Sequence, residues 1–261
     1  MVTFVLVHGA WLWASAWRRV ADILIAHGHH VVTPYLTGLG EKRELLSEKI
    51  DLNTHIADVA KRLDEDDLTN VVMVGHGYAG MIITGVAELA PRRLSQLVYL
   101  DAYIPTIGRC AWDLIPEPLQ AAFLEDARET GGWRLPPNEK YYAAWGLLPG
   151  PDRDLVRANA TDFSLRCLQT PLHLPANNAA KLPRAFVRGT RNYRAQRLFE
   201  PFAQTARGEG WPVYEIQAGH VMYVEKPAEL AEILSRIADK LPKSDTPRHN
   251  VAADGMRNDR C

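Results

Sequence analysis

Val71-Val72-Met73-Val74-Gly75-His76-Gly77-Tyr78-Ala79-Gly80-Met81 passes from a β-branched apolar run, through a glycine-rich turn, into a stretch with apolar residues at helical spacing. The pattern predicts a buried strand over 71–74, a tight turn, and a helix over 79–89. A strand that opens straight into a helix belongs to a parallel sheet, because a parallel neighbour is reached only by a crossover.

The same alternation runs outward in both directions. Strands are predicted over 3–7, 30–34, 97–100, 185–188 and 212–216, and helices over 15–26, 52–64 and 228–240. The expected fold class is therefore α/β, a mostly parallel sheet with helices on both faces. Residues 105–183 break the rhythm, being rich in Pro, Trp and Tyr, and predict helical pieces but no strand. They read as a cap inserted above the carboxyl edge of the sheet. The expected division is a core of 1–104 and 184–242, a cap of 105–183, and a polar, unpatterned tail over 243–261 that is read as disordered. No internal repeat is visible.

Bulk properties narrow the function classes. A chain of 261 residues, 47% apolar and 23% charged, can bury a large core. Thirty basic against 31 acidic residues leave a net charge of -1, which gives no footing for nucleic-acid or anionic-membrane binding. No apolar run reaches membrane-spanning length and no basic segment precedes the first strand, so the cytoplasm is the expected location. Cys110, Cys167 and Cys261 are odd in number and scattered, and read as two buried thiols and a tail thiol rather than a disulfide frame or a metal site. A small molecule is the remaining partner class, and no cofactor is required.

In an open parallel sheet, chemistry gathers at the carboxyl ends of the strands. Those ends carry His8-Gly9-Ala10-Trp11, the Gly75 to Gly80 turn, Asp101, Arg191-Asn192 and Ala218-Gly219-His220. Five pieces stand in order: Leu6-Val7-His8-Gly9-Ala10-Trp11, then Thr37-Gly38-Leu39-Gly40-Glu41, then Val74-Gly75-His76 with Tyr78-Ala79-Gly80-Met81, then Tyr99-Leu100-Asp101-Ala102-Tyr103-Ile104-Pro105, then Ala218-Gly219-His220. With them the chain resembles the α/β-hydrolase superfamily, in its branch of bacterial esterase-like proteins, plant methylesterases and hydroxynitrile lyases.

The resemblance implies a site. It places a G-x-S-x-G elbow at the Gly75 to Ala79 turn, so Gly77 stands at the nucleophile position with no side chain to form an acyl-enzyme. It carries an oxyanion hole onto the backbone N–H groups of Ala10 and Tyr78, neither of which needs a side chain. It makes His220 the base. The commonest slot for the orienting acid aligns with Asn192, but an amide cannot stabilise an imidazolium electrostatically. Asp101, one strand earlier, is the better candidate, since some members supply their acid there; otherwise it is a loop carboxylate capping local N–H groups.

The other singled-out residues read as structural. His76 is expected to pack behind the turn, His8 to serve the first loop, and His27, His29 and His30 to lie on the surface with no metal. Gly38-Leu39-Gly40 is a turn rather than a phosphate loop, because no lysine follows in register. The cap offers Trp112, Phe123, Trp133, Tyr141, Tyr142 and Trp145. With Trp11 and Tyr78 from the floor, and Met222 and Tyr223 beside His220, these fit a pocket for a flat or bulky apolar ligand.

Three functions remain open. One is an enzyme without a covalent nucleophile, using His220 and the hole for lyase, cyclase, elimination or hydrolysis chemistry on an apolar, aromatic carbonyl compound. Another is a serine carboxylesterase in which Gly77 has been substituted for the nucleophile. The third is a small-molecule binding protein with no turnover.

Overall fold

Strand β1 (Thr3–Val7) forms where the chain begins with an unbroken apolar run, and four of its five residues are buried. The computed structural model describes residues 1–191 and 193–241. A short 3-10 turn leads into helix α1 (Arg18–Ala26), and β2 (His30–Val32) follows. Helix α2 (Leu52–Glu65) starts at a capping box, in which the Asp51 carboxylate accepts from the Thr54 backbone N–H at 3.0 Å and the Thr54 hydroxyl answers the Asp51 N–H. Its buried Leu52, Ile56, Val59 and Leu63 recur at helical spacing and supply the face that packs inward.

The central unit is β3 (Val71–His76), the turn at Gly77 and Tyr78, and α3 (Ala79–Leu89). All six residues of β3 are buried, as is α3 from Ala79 to Ala87, so this helix is apolar around its whole circumference. Strand β4 (Leu94–Leu100) lies beside β3. After a long connection come β7 (Arg184–Gly189), α8 (Gln196–Gly208), β8 (Val213–Ile216), α9 (Met222–Glu225) and α10 (Pro227–Asp239). The six-stranded sheet has the order β2-β1-β3-β4-β7-β8, with every described pairing parallel. Its helix-covered, mostly parallel architecture is the one that the alternation predicts.

Residues between β4 and β7 hold α4 (Glu117–Arg128), β5 (Arg134–Leu135), α5 (Glu139–Ala144), α6 (Pro151–Asn159), β6 (Phe163–Ser164) and α7 (Leu165–Gln169). The expectation of no strand here is corrected: β5 and β6 form a small antiparallel ribbon, pairing Arg134 with Ser164 and Leu135 with Phe163. Two-residue strands are too short for alternation to reveal. Helix α8 is an addition as well; Pro201 lies inside it and interrupts the pattern that would announce it. Asn192, Cys261 and the tail read over 243–261 lie outside the described residues.

Close packing fixes the central turn. A Cβ built on Gly80 would lie 2.1 Å from the Tyr103 carbonyl oxygen, a backbone atom with no freedom to retreat. We expect Gly80→Ala to destabilise the fold by about 1–3 kcal/mol, the usual cost of overpacking, measured by urea unfolding. An unchanged midpoint would mean that α3 is free to slide away from the β4 loop.

Candidate active site

The carboxyl edges of β1, β3, β4 and β8 bring the candidate residues together. Gly77 occupies the sharp turn between β3 and α3 with φ +57°, a left-handed conformation that glycine adopts without steric cost. Its N–H donates to Leu100 O at 3.2 Å, and its carbonyl accepts from Tyr103 N at 3.1 Å, so the end of β4 and the loop that follows pin it. A Cβ placed here would stand 3.2 Å from Nε2 of His220.

His220 sits in the loop between β8 and α9. Its Nδ1–H donates to Asp101 Oδ2 at 2.9 Å, its backbone N–H donates to Trp145 O at 2.8 Å, and its ring stacks on Phe199 at a centroid distance of 4.7 Å. Asp101 follows β4 with φ +44°, a strained conformation that aspartate tolerates better than most residues. The hydroxyl of Tyr193 also donates to Oδ2 of Asp101. Burial lowers the His220 imidazole to about 3 and pushes the Asp101 carboxyl up to about 7, in the latter case against the stabilising Tyr193 hydrogen bond. With Nδ1 engaged by Asp101, Nε2 is the free ring nitrogen, on the Gly77 side. The partner chosen is Asp101, while Asn192 lies outside the described residues.

His76 packs against this pair from behind. Its Nε2–H donates to the His220 carbonyl at 3.0 Å, Nδ1 faces the Tyr223 hydroxyl at 3.4 Å, and the two imidazole rings are 4.2 Å apart. His8 is fully buried and hydrogen-bonds to Gly9 O at 3.0 Å. His27 and His30 are exposed, whereas His29 is half-buried with an edge contact to Phe4. No cluster suited to a metal ion occurs among the described residues. Cys110 and Cys167 are both buried and free.

Ala10 and Tyr78 flank the space beside Gly77, and neither backbone N–H is given to a backbone acceptor among the described residues. Their loops are held firmly. Tyr78 O–H donates to His55 Nδ1 at 3.1 Å, and His55 Nε2–H donates to Thr37 O at 2.9 Å. The Glu41 carboxylate accepts from Ala14 N and Ser15 N, and Gly40 N–H reaches Thr161 Oγ1 at 3.0 Å. The Thr37 to Glu41 motif is thus a buttress for the first loop. Trp11 adopts φ +63°, unusual for a bulky residue; its carbonyl accepts from Thr161 N and its Nε1–H donates to Leu135 O at 2.9 Å.

A cavity of about 580 Å³ opens over these residues. Trp11, Tyr141 and Trp145 line it as the sequence suggests, with Phe123. Five expected lining residues do not reach it, Tyr142 among them, which is buried edge-on against Trp145. Trp112 stands behind Phe123, Trp133 lies half-buried beneath the Arg134 guanidinium, and Met222 is fully buried at the start of α9. Tyr223 likewise turns away, stacking on Trp17 at 4.0 Å. Residues without a sequence signal take part instead: Phe199 and Leu198 from α8, Tyr103 after β4, and Leu168 from α7. Polar groups are confined to few positions, among them Asp126, which accepts from the Tyr141 hydroxyl at 2.6 Å.

A family model described as the alpha/beta hydrolase family matches residues 4–233. The chain belongs to the alpha/beta hydrolase family. It is an enzyme of that superfamily, and its relatives include esterases and a hydroxynitrile lyase. It is 34% identical over 245 residues to the carbendazim hydrolyzing esterase of Nocardioides sp. (strain SG-4G), with 91% of this chain and 100% of that protein covered. In structure it is similar to an extracellular alpha/beta-hydrolase from a Paenibacillus species, with a TM-score of 0.81 and 21% identity, covering 90% of this chain and 98% of that one. Tomato methylketone synthase I, solved in complex with 2-tridecanone, superposes with a TM-score of 0.77 and 20% identity, covering 92% and 99% of the two chains. These two likenesses concern the fold. No helix among the described residues is long and apolar enough to cross a membrane.

Proposed function

We propose that this α/β-hydrolase works without a covalent nucleophile, with His220 as general base, Asp101 as its orienter, and the N–H groups of Ala10 and Tyr78 as an oxyanion hole. One observation carries the reading: a Cβ at Gly77 would stand 3.2 Å from His220 Nε2, yet the elbow holds only a glycine hydrogen there. Nε2 then takes a proton from a carbon beside the substrate carbonyl, or from a water that attacks it. The electron pair moves onto the carbonyl oxygen, the hole holds the enolate or tetrahedral oxyanion that forms, and the imidazolium returns its proton to the departing or rearranged group. The aromatic lining suits an apolar, aromatic carbonyl compound. An apolar ketone is also what tomato methylketone synthase I holds in its complex with 2-tridecanone.

A second reading is favoured by the 34% identity to a carbendazim hydrolyzing esterase. In it Gly77 replaces the serine of an ordinary esterase, and every other part of the machinery stands ready. Treatment with a fluorophosphonate probe tests the placement of the missing nucleophile. No serine is expected to be labelled, read by intact mass and peptide mapping. A stoichiometric adduct on Ser15, Ser47 or any other serine would overturn the assignment of Gly77 as the vacant position.

A further inference from the structure

Asp101 does not face His220 alone. The single oxygen Oδ2 accepts from His220 Nδ1–H at 2.9 Å and from the Tyr193 hydroxyl. Tyr193 is only 5% exposed, and it follows β7 at the position next to 192, the slot that the family resemblance assigns to the usual acid. The loop that commonly supplies the carboxylate here supplies a phenol that grips the carboxylate of the neighbouring strand. Tyr193 is itself held: its backbone carbonyl accepts from Gln196 N–H at 3.1 Å, and its hydroxyl oxygen would lie only 2.9 Å from a Cβ on Gly189.

We propose that Tyr193 is a positioning residue that keeps Asp101 ionised and turned toward His220, and so sets the pH below which the pair stops acting as a base. The inference rests on the reading of His220 as the base. A buried carboxylate is stable only where hydrogen bonds replace its lost water. Burial pushes Asp101 up to about 7, and the Tyr193 hydrogen bond is the largest influence working against that rise. The other groups facing Asp101 are His76 from β3, Arg188 and the Gly189 N–H from β7, and His220 from the β8–α9 loop. Tyr193 is faced in turn by Asp101, Arg188 and Glu225. Burial and the neighbouring Asp101 charge hold the phenol above its ordinary range, so it remains a donor at every working pH.

The sign of the effect follows. Removing the donor makes the carboxylate more basic, and the pair then takes up its proton at a higher pH. A stronger donor does the opposite. The test records the ring Cε1–H signal of His220 against pH by carbon-13 NMR, assigned by its loss in His220→Gln. Tyr193→Phe is expected to move the apparent pKa of the pair upward by about one unit, the scale of one charge-assisted hydrogen bond. Site-specific replacement of Tyr193 by 3,5-difluorotyrosine, a more acidic phenol of nearly the same volume, is expected to move it downward. A packing role alone moves neither. An unchanged titration, or shifts of the same sign in both variants, would overturn the proposal. If Tyr193→Phe fails to fold, the fluorinated protein decides alone. The measurement needs no turnover, so a titration that follows Tyr193 in a protein without activity would sink the catalytic reading and leave the coupling standing.

Discussion

His220→Ala is expected to lower turnover of the native substrate by about two to four orders of magnitude, the range over which general acid–base groups contribute. Among the described residues, the His220 ring is what a Cβ at Gly77 would meet, with Nε2 3.2 Å away. On the proposed mechanism, loss of the base removes proton transfer while leaving the proposed hole at Ala10 and Tyr78 in place, so part of the rate enhancement is expected to survive. Asp101→Asn is expected to approach the same loss. Asp101 is 1% exposed and His220 6%, so bulk water does not replace the carboxylate as the partner of the imidazolium. Activity should fall toward acid pH as the pair gains a proton, because a protonated pair has no free base. Melting curves must accompany the assays, since the alanine also removes the ring that stacks on Phe199. Full activity in a folded His220→Ala protein would remove the base from the mechanism.

Much of this site was legible in the sequence because its parts sit at the ends of strands. An apolar run followed by a glycine, histidine or aspartate locates a carboxyl edge without any knowledge of the neighbours, and Ala10, Gly77, Asp101 and His220 all stand there. The aromatic lining was legible only in part. Trp11, Tyr141 and Trp145 face the cavity, but Trp112, Trp133 and Met222 point elsewhere, because composition says that a segment is aromatic and not which way a given ring faces. Tyr193 and Phe199 left no signal at all. One lies in a loop with no periodicity, and the other on α8, whose pattern is interrupted by Pro201. Both act through contacts between strands β4, β7 and β8 that exist only once the sheet is assembled. The ribbon of β5 and β6 escaped for a simpler reason, its strands being two residues long.

Gly77→Ser separates the two readings by restoring an atom. The new hydroxyl would stand at the elbow, beside His220 Nε2, in the cavity that Ala10 and Tyr78 also line. If the chain is a serine esterase that lacks its nucleophile, this one change is expected to produce burst kinetics with an activated aryl ester, because acyl-enzyme formation then precedes slower hydrolysis. If the chemistry is non-covalent, the hydroxyl fills space used by substrate or water. Native turnover is then expected to fall by at least tenfold, about 1.4 kcal/mol in the barrier, and any ester hydrolysis stays weak. A protein that only binds its ligand shows neither change. The backbone at this position resists the substitution, since φ is +57° and the Cβ approaches His220 Nε2 to 3.2 Å, so the imidazole must give way by a few tenths of an ångström. Strain of about 1–3 kcal/mol is expected from a non-glycine residue held in that conformation, and it should appear as a lower melting temperature. An esterase tolerates that strain because its elbow exists to present the serine. Vigorous ester turnover in a stable Gly77→Ser protein, with no activity of any kind in the glycine form, would therefore sink the non-covalent reading and leave the esterase in its place.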